Sequence, residues 1–140
     1  ADTFATAITP TGEEDMAWTV GDTGFDIVLS TYVPSILESN ISATVEPLLA
    51  QASLCKKDIT HWAVHPGGRA IIDKVRDGLA IDEAQVEIPR AVLRDYGNMS
   101  SATILFVLKE LLEKANENEK IYAMAFGPGL TVESGLFTKV

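Results

Sequence analysis

The 140-residue sequence predicts a single α/β domain, a mixed, mostly parallel five-stranded sheet covered by helices. Three observations point there. The length suits one domain with a substantial core. Strand-like segments alternate with helix-like ones, the pattern of a sheet covered by helices. Short glycine and proline turns separate them: Pro-Thr-Gly at 10–12, Pro-Gly-Gly at 66–68 and Gly-Pro-Gly at 127–129.

The elements follow in order. Phe4–Thr9 and Ala17–Val20 read as strands, and Gly24–Ser30 (GFDIVLS) as a further strand or a continuation. Pro34 opens a helix to about Ala52, because Ile36, Leu37, Ile41, Val45, Leu48 and Leu49 recur at helical spacing. Thr60–His65 is a short apolar run and predicts a buried strand. Gly67 and Gly68 turn the chain into a second helix, with Ala70, Ile71, Ile72, Val75 and Leu79 inward. Pro89–Tyr96 predicts a short helix and Ser100–Lys114 a long one. Ile121–Phe126 and Leu130–Thr138 predict a closing hairpin that adds an antiparallel edge.

Composition narrows the function classes. Twenty Asp and Glu stand against 11 Lys and Arg, and no basic stripe interleaved with aromatics occurs, so no nucleic-acid partner is expected. No apolar run is long enough to span a membrane. The N-terminal ADTFATAITP has neither a basic start nor an apolar h-region, so no signal peptide is expected and a cytoplasmic location is. It also lacks an initiator Met, which predicts processing or a piece of a longer protein. One cysteine, Cys55, excludes an internal disulfide. The sequons at Asn40 and Asn98 carry no weight without secretion.

Residues 61–68 read HWAVHPGG. His65 closes the predicted strand, next to a glycine turn and a helix start, where ligands collect in open α/β sheets. His61 lies at the other end. Position favours His65 for chemistry; the competing reading is a satisfied turn histidine. Two histidines four apart also recur in zinc motifs. That motif needs a helix and a glutamate after the first His, and Trp62 stands there, so no metal is expected. In DYGNMSSAT (95–103), Asn98 follows Gly97, and Ser100 or Ser101 can cap the long helix. Asn98 reads either as a turn residue or as an amide donor toward a substrate oxygen. If the helix starts after His65 and Asn98 converge, two donors meet in an oxyanion-type site. AFGPGLTVE (125–133) has no phosphate-loop pattern and reads as a hairpin turn or a backbone wall against a ligand.

Taken together, WAVHPGGRAI, LRDYGNMSSATILFVL and AFGPGLTVE, with GFDIVLSTYVP ahead of them, resemble the C-terminal half of the type III polyketide synthases, the chalcone and stilbene synthase family. The resemblance covers nearly the whole chain. It implies half of a thiolase-like fold, residues 1–140 forming one C-terminal domain. It implies decarboxylative condensation of malonyl-CoA units onto an acyl-CoA starter, with CoA thioesters as substrates and no cofactor. It maps the family's catalytic histidine to His65 and its catalytic asparagine to Asn98. Ala70 matches a position beside the pantetheine arm. Ser100, Phe126, Gly127, Pro128 and Gly129 match cavity-lining positions, and Ile27 falls where plant enzymes carry an aromatic gatekeeper. Ala125 and Ile27 depart from the plant pattern, so a bacterial-style enzyme with a different starter is expected.

The same resemblance places the nucleophilic cysteine in an N-terminal half, which becomes the expected partner. Cys55 precedes the strand that ends at His65; at about 3.3 Å per residue that strand separates the two by roughly 15–20 Å. Cys55 therefore reads as an ordinary buried or half-buried thiol, and the chain alone is expected to be inactive. The helix Ser100–Lys114 is apolar on every face from Ala102 to Leu108, which predicts an uncovered side and a homodimer. Two alternatives stay open: a 3-oxoacyl-acyl-carrier-protein synthase III-like condensing enzyme, and a free-standing non-catalytic binding domain.

Overall fold

The computed structural model describes all 140 residues. Six strands and four main helices follow the expected order: β1 (Thr3–Ile8), β2 (Met16–Val20), β3 (Phe25–Leu29), α1 (Val33–Gln51), β4 (His61–Val64), α2 (Arg69–Leu79), α3 (Glu87–Tyr96), α4 (Thr103–Lys114), β5 (Lys120–Gly127) and β6 (Thr131–Thr138). The α/β class holds. The strand count and directions are corrected: the main sheet has four strands in the order β1-β6-β5-β4, and β2 and β3 pair only with each other. Within the main sheet only β4–β5 is parallel.

The reason is connectivity. A parallel pair needs a crossover, and of the neighbouring strands only β4 and β5 are joined by one, through α2, α3 and α4. β1 comes from the chain start and docks antiparallel on β6, so the hairpin strand β6 is interior rather than an edge. After β1 the chain turns at Gly12, whose φ of +103° favours glycine, and β2–β3 leaves as a separate ribbon.

Two apolar layers sandwich the sheet. Side chains alternate along β4 and β5. Trp62, Val64, Tyr122 and Met124 join Leu37, Ile41, Val45 and Leu48 of α1 and Val75 and Leu79 of α2 in one cluster. Ala63, Ile121 and Ala123 meet Val92 of α3 and Val107 and Leu111 of α4 in the other. Burying each large apolar side chain contributes about 1.5–3 kcal/mol. The α4 helix buries Thr103, Val107 and Leu111, while Leu105 is 64% exposed and Phe106 38%. Its outer side is thus apolar and uncovered. It starts at Thr103, after a 3-10 turn over Ser100–Ala102, and neither Ser100 nor Ser101 caps it.

Helices α1 and α2 touch at Gly78. A Cβ there would lie 2.6 Å from the Glu38 carbonyl oxygen and 2.7 Å from Ile41 Cγ2. The Ser42 hydroxyl also donates to the Gly78 carbonyl at 2.7 Å. Gly78→Ala should therefore destabilise the fold by about 1–3 kcal/mol through overpacking, although alanine favours a helix. Denaturant unfolding checks this; an unchanged or raised midpoint would show that the helices part freely.

At the far end of β4, His61 Nε2 pairs with Glu119 Oε2 at 2.8 Å. The Asn116 backbone N–H, then the His61 ring and the Asn116 amide, hold the Glu119 carboxyl down to about 2 from its ordinary 4.5. The folded state resists this proton more than the unfolded chain does. Stability from Glu119 is complete above pH 4.5 and is lost as the pH falls toward about 2. Glu119→Gln should lower stability at neutral pH and flatten the acid limb between those values; an acid limb that keeps its slope would exclude this pairing as its source.

Candidate active site at the carboxyl ends of β4 and β5

The β4–β5 ladder ends with Val64 opposite Met124, and the His65 N–H extends it by donating to the Met124 carbonyl at 2.9 Å. Pro66 has no N–H to give, so the chain leaves the sheet. The Gly67 N–H donates back to the His65 carbonyl at 2.9 Å, and α2 begins at Arg69. His65 is half-buried, and its Nδ1 is buried without a bonded partner. Burial pushes its pKa below the ordinary 6.5, so the ring is neutral at pH 7. A Cβ on Gly67 would lie 3.7 Å from His65 Nε2, so glycine leaves that edge of the ring uncovered.

Asn98 arrives from the other side. Helix α3 stops at Tyr96, and Gly97, at φ +71°, reverses the chain. Asn98 Oδ1 accepts the Ser100 N–H at 2.9 Å, while Nδ2 donates to the Gly67 carbonyl at 3.1 Å. Asn98 is therefore a turn residue whose amide also ties its loop to Gly67. One amide hydrogen is spent on Gly67; the other is available. Gly67 is the shared neighbour that joins the His65 turn to Asn98. Thr103, not singled out from the sequence, completes the loop: its buried hydroxyl accepts the Met99 N–H at 2.7 Å and donates to the Ser100 carbonyl at 2.9 Å. The visible signal was a threonine opening a helix whose next five residues are all apolar.

The other predicted positions divide. Because β4 and β5 are parallel, Phe126–Gly129 emerges at the same edge as His65. A Cβ on Gly127 would meet Thr131 Oγ1 at 2.7 Å, and Gly129 sits at φ +118°, so this tight hairpin needs both glycines. Its tip is anchored by the Gly129 N–H, which donates to the Met16 carbonyl at 3.0 Å. Phe126 is partly buried against the α1-side core, and Pro128 is exposed between the glycines. Ala70 lies exposed in the first turn of α2, and Ser100, exposed at φ +60°, follows Asn98. Ile27 is carried on the β2–β3 ribbon, which the Met16 carbonyl ties to Gly129. Ile27 sits opposite Trp18, 50% exposed.

His61 and Cys55 are separated from the site by the length of β4. Cys55 is exposed, which corrects the expected burial; it opens the 3-10 turn over Lys56–Asp58 and gives its N–H to Asp58 at 2.7 Å. No three His, Cys, Asp or Glu side chains cluster closely enough to hold a metal ion. No helix is long and apolar enough to cross a membrane.

The carboxyl edge of the sheet thus carries a half-buried histidine and an asparagine tethered to the turn that follows it. The sequence model for chalcone and stilbene synthases, C-terminal domain, matches residues 3–140, and the chain belongs to that family. Type III polyketide synthase B of Arabidopsis thaliana is 34% identical over 134 residues, covering 89% of this chain and 34% of that protein. Type III polyketide synthase 10 of Oryza sativa subsp. japonica is 34% identical over 124 residues, covering 79% and 31% respectively. The crystal structure of PKS-I from the brown alga Ectocarpus siliculosus superposes with a TM-score of 0.87 at 27% identity, over 99% of this chain and 38% of that one. The fold is thus that of a polyketide synthase C-terminal domain. The chain spans about a third of the length of these relatives.

A carbon-detected NMR titration of the chain should give His65 an apparent pKa below 6.5. The unfolded chain then takes up a proton that the folded state resists, so stability declines as the pH falls through 6.5. A value above 6.5 would mean that an acidic group faces the ring.

Proposed function

We propose that the protein containing this chain condenses malonyl-CoA units decarboxylatively onto an acyl-CoA starter, with His65 and Asn98 as its catalytic donors. The observation that carries the reading is the Asn98 amide held on the Gly67 carbonyl, two residues from His65. Both side chains bind the thioester oxygen of the malonyl group. The bond between the malonyl carboxylate and its α-carbon breaks, carbon dioxide leaves, and the electron pair passes to the thioester oxygen as an enolate. Donors already in place stabilise that charge without reorganisation. The enolate carbon then attacks an acyl group carried on a cysteine, the new carbon–carbon bond forms, and the thiolate departs.

The cysteine comes from the N-terminal part that the longer relatives possess. It shifts the protonation of His65: a thiolate beside the ring opposes the effect of burial and favours an imidazolium. The CoA thioesters serve as substrates, and no further cofactor takes part. Two exposed apolar regions support contact with the N-terminal part and a homodimer. One comprises Leu105 and Phe106 with Tyr96, whose ring stands 5.0 Å from that of Phe106. The other is the β2–β3 ribbon with Trp18, Phe25 and Leu29. A cytoplasmic location suits the CoA substrates. The cavity-wall positions Ile27 and Phe126–Gly129 belong to starter and product choice.

In the protein at its natural length, Asn98→Ala should slow malonyl-CoA decarboxylation by about a hundredfold or more, the usual effect of losing one oxyanion donor. His65→Ala should cost at least as much, and His61→Ala should leave turnover near wild type. Release of labelled carbon dioxide measures all three. Equal losses at His61 and His65 would place the chemistry at the wrong end of β4.

A further inference from the structure

Thr103 is fully buried, and its hydroxyl meets three consecutive residues of the loop that carries Asn98. It accepts the Met99 N–H at 2.7 Å, donates to the Ser100 carbonyl at 2.9 Å and lies 3.4 Å from Asn98 Oδ1. The hydroxyl stands on the first turn of α4, on the stripe that Val107 and Leu111 continue into the core. A buried polar group whose partners all lie in one loop holds that loop from a rigid helix. A threonine at such a place often serves only to close the helix start.

Two features tie this grip to Asn98. Ser100 has φ +60°, the left-handed region that a residue with a Cβ seldom adopts. Such a conformation persists only where its surroundings hold it. Thr103 grips the chain on both sides, at the Met99 N–H and at the Ser100 carbonyl. In that conformation the Ser100 N–H donates to Asn98 Oδ1 at 2.9 Å. A donor at that point decides which way the amide faces. Its oxygen turns into the loop, and its nitrogen turns out to the Gly67 carbonyl at 3.1 Å. Turned end for end, the amide would set its oxygen against the Gly67 carbonyl, acceptor against acceptor. It would also offer a substrate oxygen an acceptor in place of a hydrogen.

We propose that Thr103 is a positioning residue for Asn98: by holding Met99 and Ser100 it keeps the Asn98 amide turned with its nitrogen toward the thioester oxygen. The proposal rests on the reading of Asn98 as an oxyanion donor, and it adds the residue that sets that donor's direction. Thr103 lies beneath the loop and acts only through it. Without the hydroxyl, the Met99 N–H loses its acceptor and Ser100 relaxes toward negative φ, which takes its N–H away from Oδ1. The amide then samples both orientations, and only one of them stabilises the enolate.

Release of labelled carbon dioxide from malonyl-CoA tests this in the protein at its natural length. Thr103→Val keeps the shape and removes the hydroxyl. It should lower kcat about tenfold with KM little changed, because Asn98 acts on charge that develops in the transition state. Thr103→Ala, which cannot overpack the site, should lose as much. Thr103→Ser retains the hydroxyl and should restore kcat to within about threefold of wild type. In the Asn98→Ala background, Thr103→Val should slow the reaction no further, because the side chain it acts through is already gone. Equal losses in the two backgrounds are what a merely structural threonine would give, and they would overturn the proposal. So would wild-type kcat in the valine or alanine variant, or a serine variant as slow as valine. A wild-type protein that releases no carbon dioxide from malonyl-CoA would overturn the condensation reading instead. Hydrogen exchange of the isotope-labelled Asn98 side-chain amide, followed by NMR, then judges the grip by itself. Exchange about tenfold faster in Thr103→Val but not in Thr103→Ser supports it, and equal exchange in all three proteins overturns it.

Discussion

The parallel pairing of β4 with β5, from His61 opposite Ile121 to Val64 opposite Met124, positions nearly everything else in this molecule. It is short, yet each side chain on it is committed to a face. Trp62 and Tyr122 turn toward α1, with ring centroids 5.3 Å apart, while Ala63 and Ala123 turn toward α4. A slip of one residue would exchange the large aromatics for the alanines on both faces at once, so the register is strongly determined. The same pairing brings the carboxyl ends of both strands to one edge. His65 and the hairpin Phe126–Gly129 share that edge because the strands run the same way.

The second half of the site hangs on a loop. Between α3 and α4 the chain is held by Asn98, Thr103 and the glycine at 97, and a single side-chain bond to the Gly67 carbonyl locks this loop to the turn after β4. Each of the two turns is therefore part of the other's support. Side chains that act in this position gain precision from the helices behind them, because α2 and α4 are anchored by Val75, Leu79, Val107 and Leu111 in the two cores. The His65 ring has no bonded partner at Nδ1, and burial keeps it neutral. Its charge state thus depends on which group comes to face the ring.

The exposed surface is organised in the same economical way. Apolar exposure is concentrated on the β2–β3 ribbon and on the outer side of α4 with Tyr96. Three guanidinium groups, of Arg69, Arg90 and Arg94, line the cleft between α2 and α3, and the last two pair with carboxylates. The chain belongs to the chalcone and stilbene synthase family and spans about a third of those relatives' length.

Local pattern alone determined the elements. Helical spacing marked α1, the Pro-Gly-Gly turn marked the start of α2, and Gly97 marked the end of α3, because each is written in neighbouring residues. His65 was preferred over His61 from its place at a strand end, and the two histidines do lie at opposite ends of β4. What the sequence by itself left open was decided by contacts between distant residues. Antiparallel pairing of β1 with β6 and the separation of the β2–β3 ribbon are choices among strand partners, and period-two patterning does not name a partner. Cys55 was expected to be buried or half-buried and is exposed, because the turn it opens lies on the surface, outside the strand that follows. The Asn98 amide had two readings from the sequence; the fold brings it to Gly67, 31 positions away, where its oxygen accepts the Ser100 N–H as a turn residue does and its nitrogen donates to the Gly67 carbonyl.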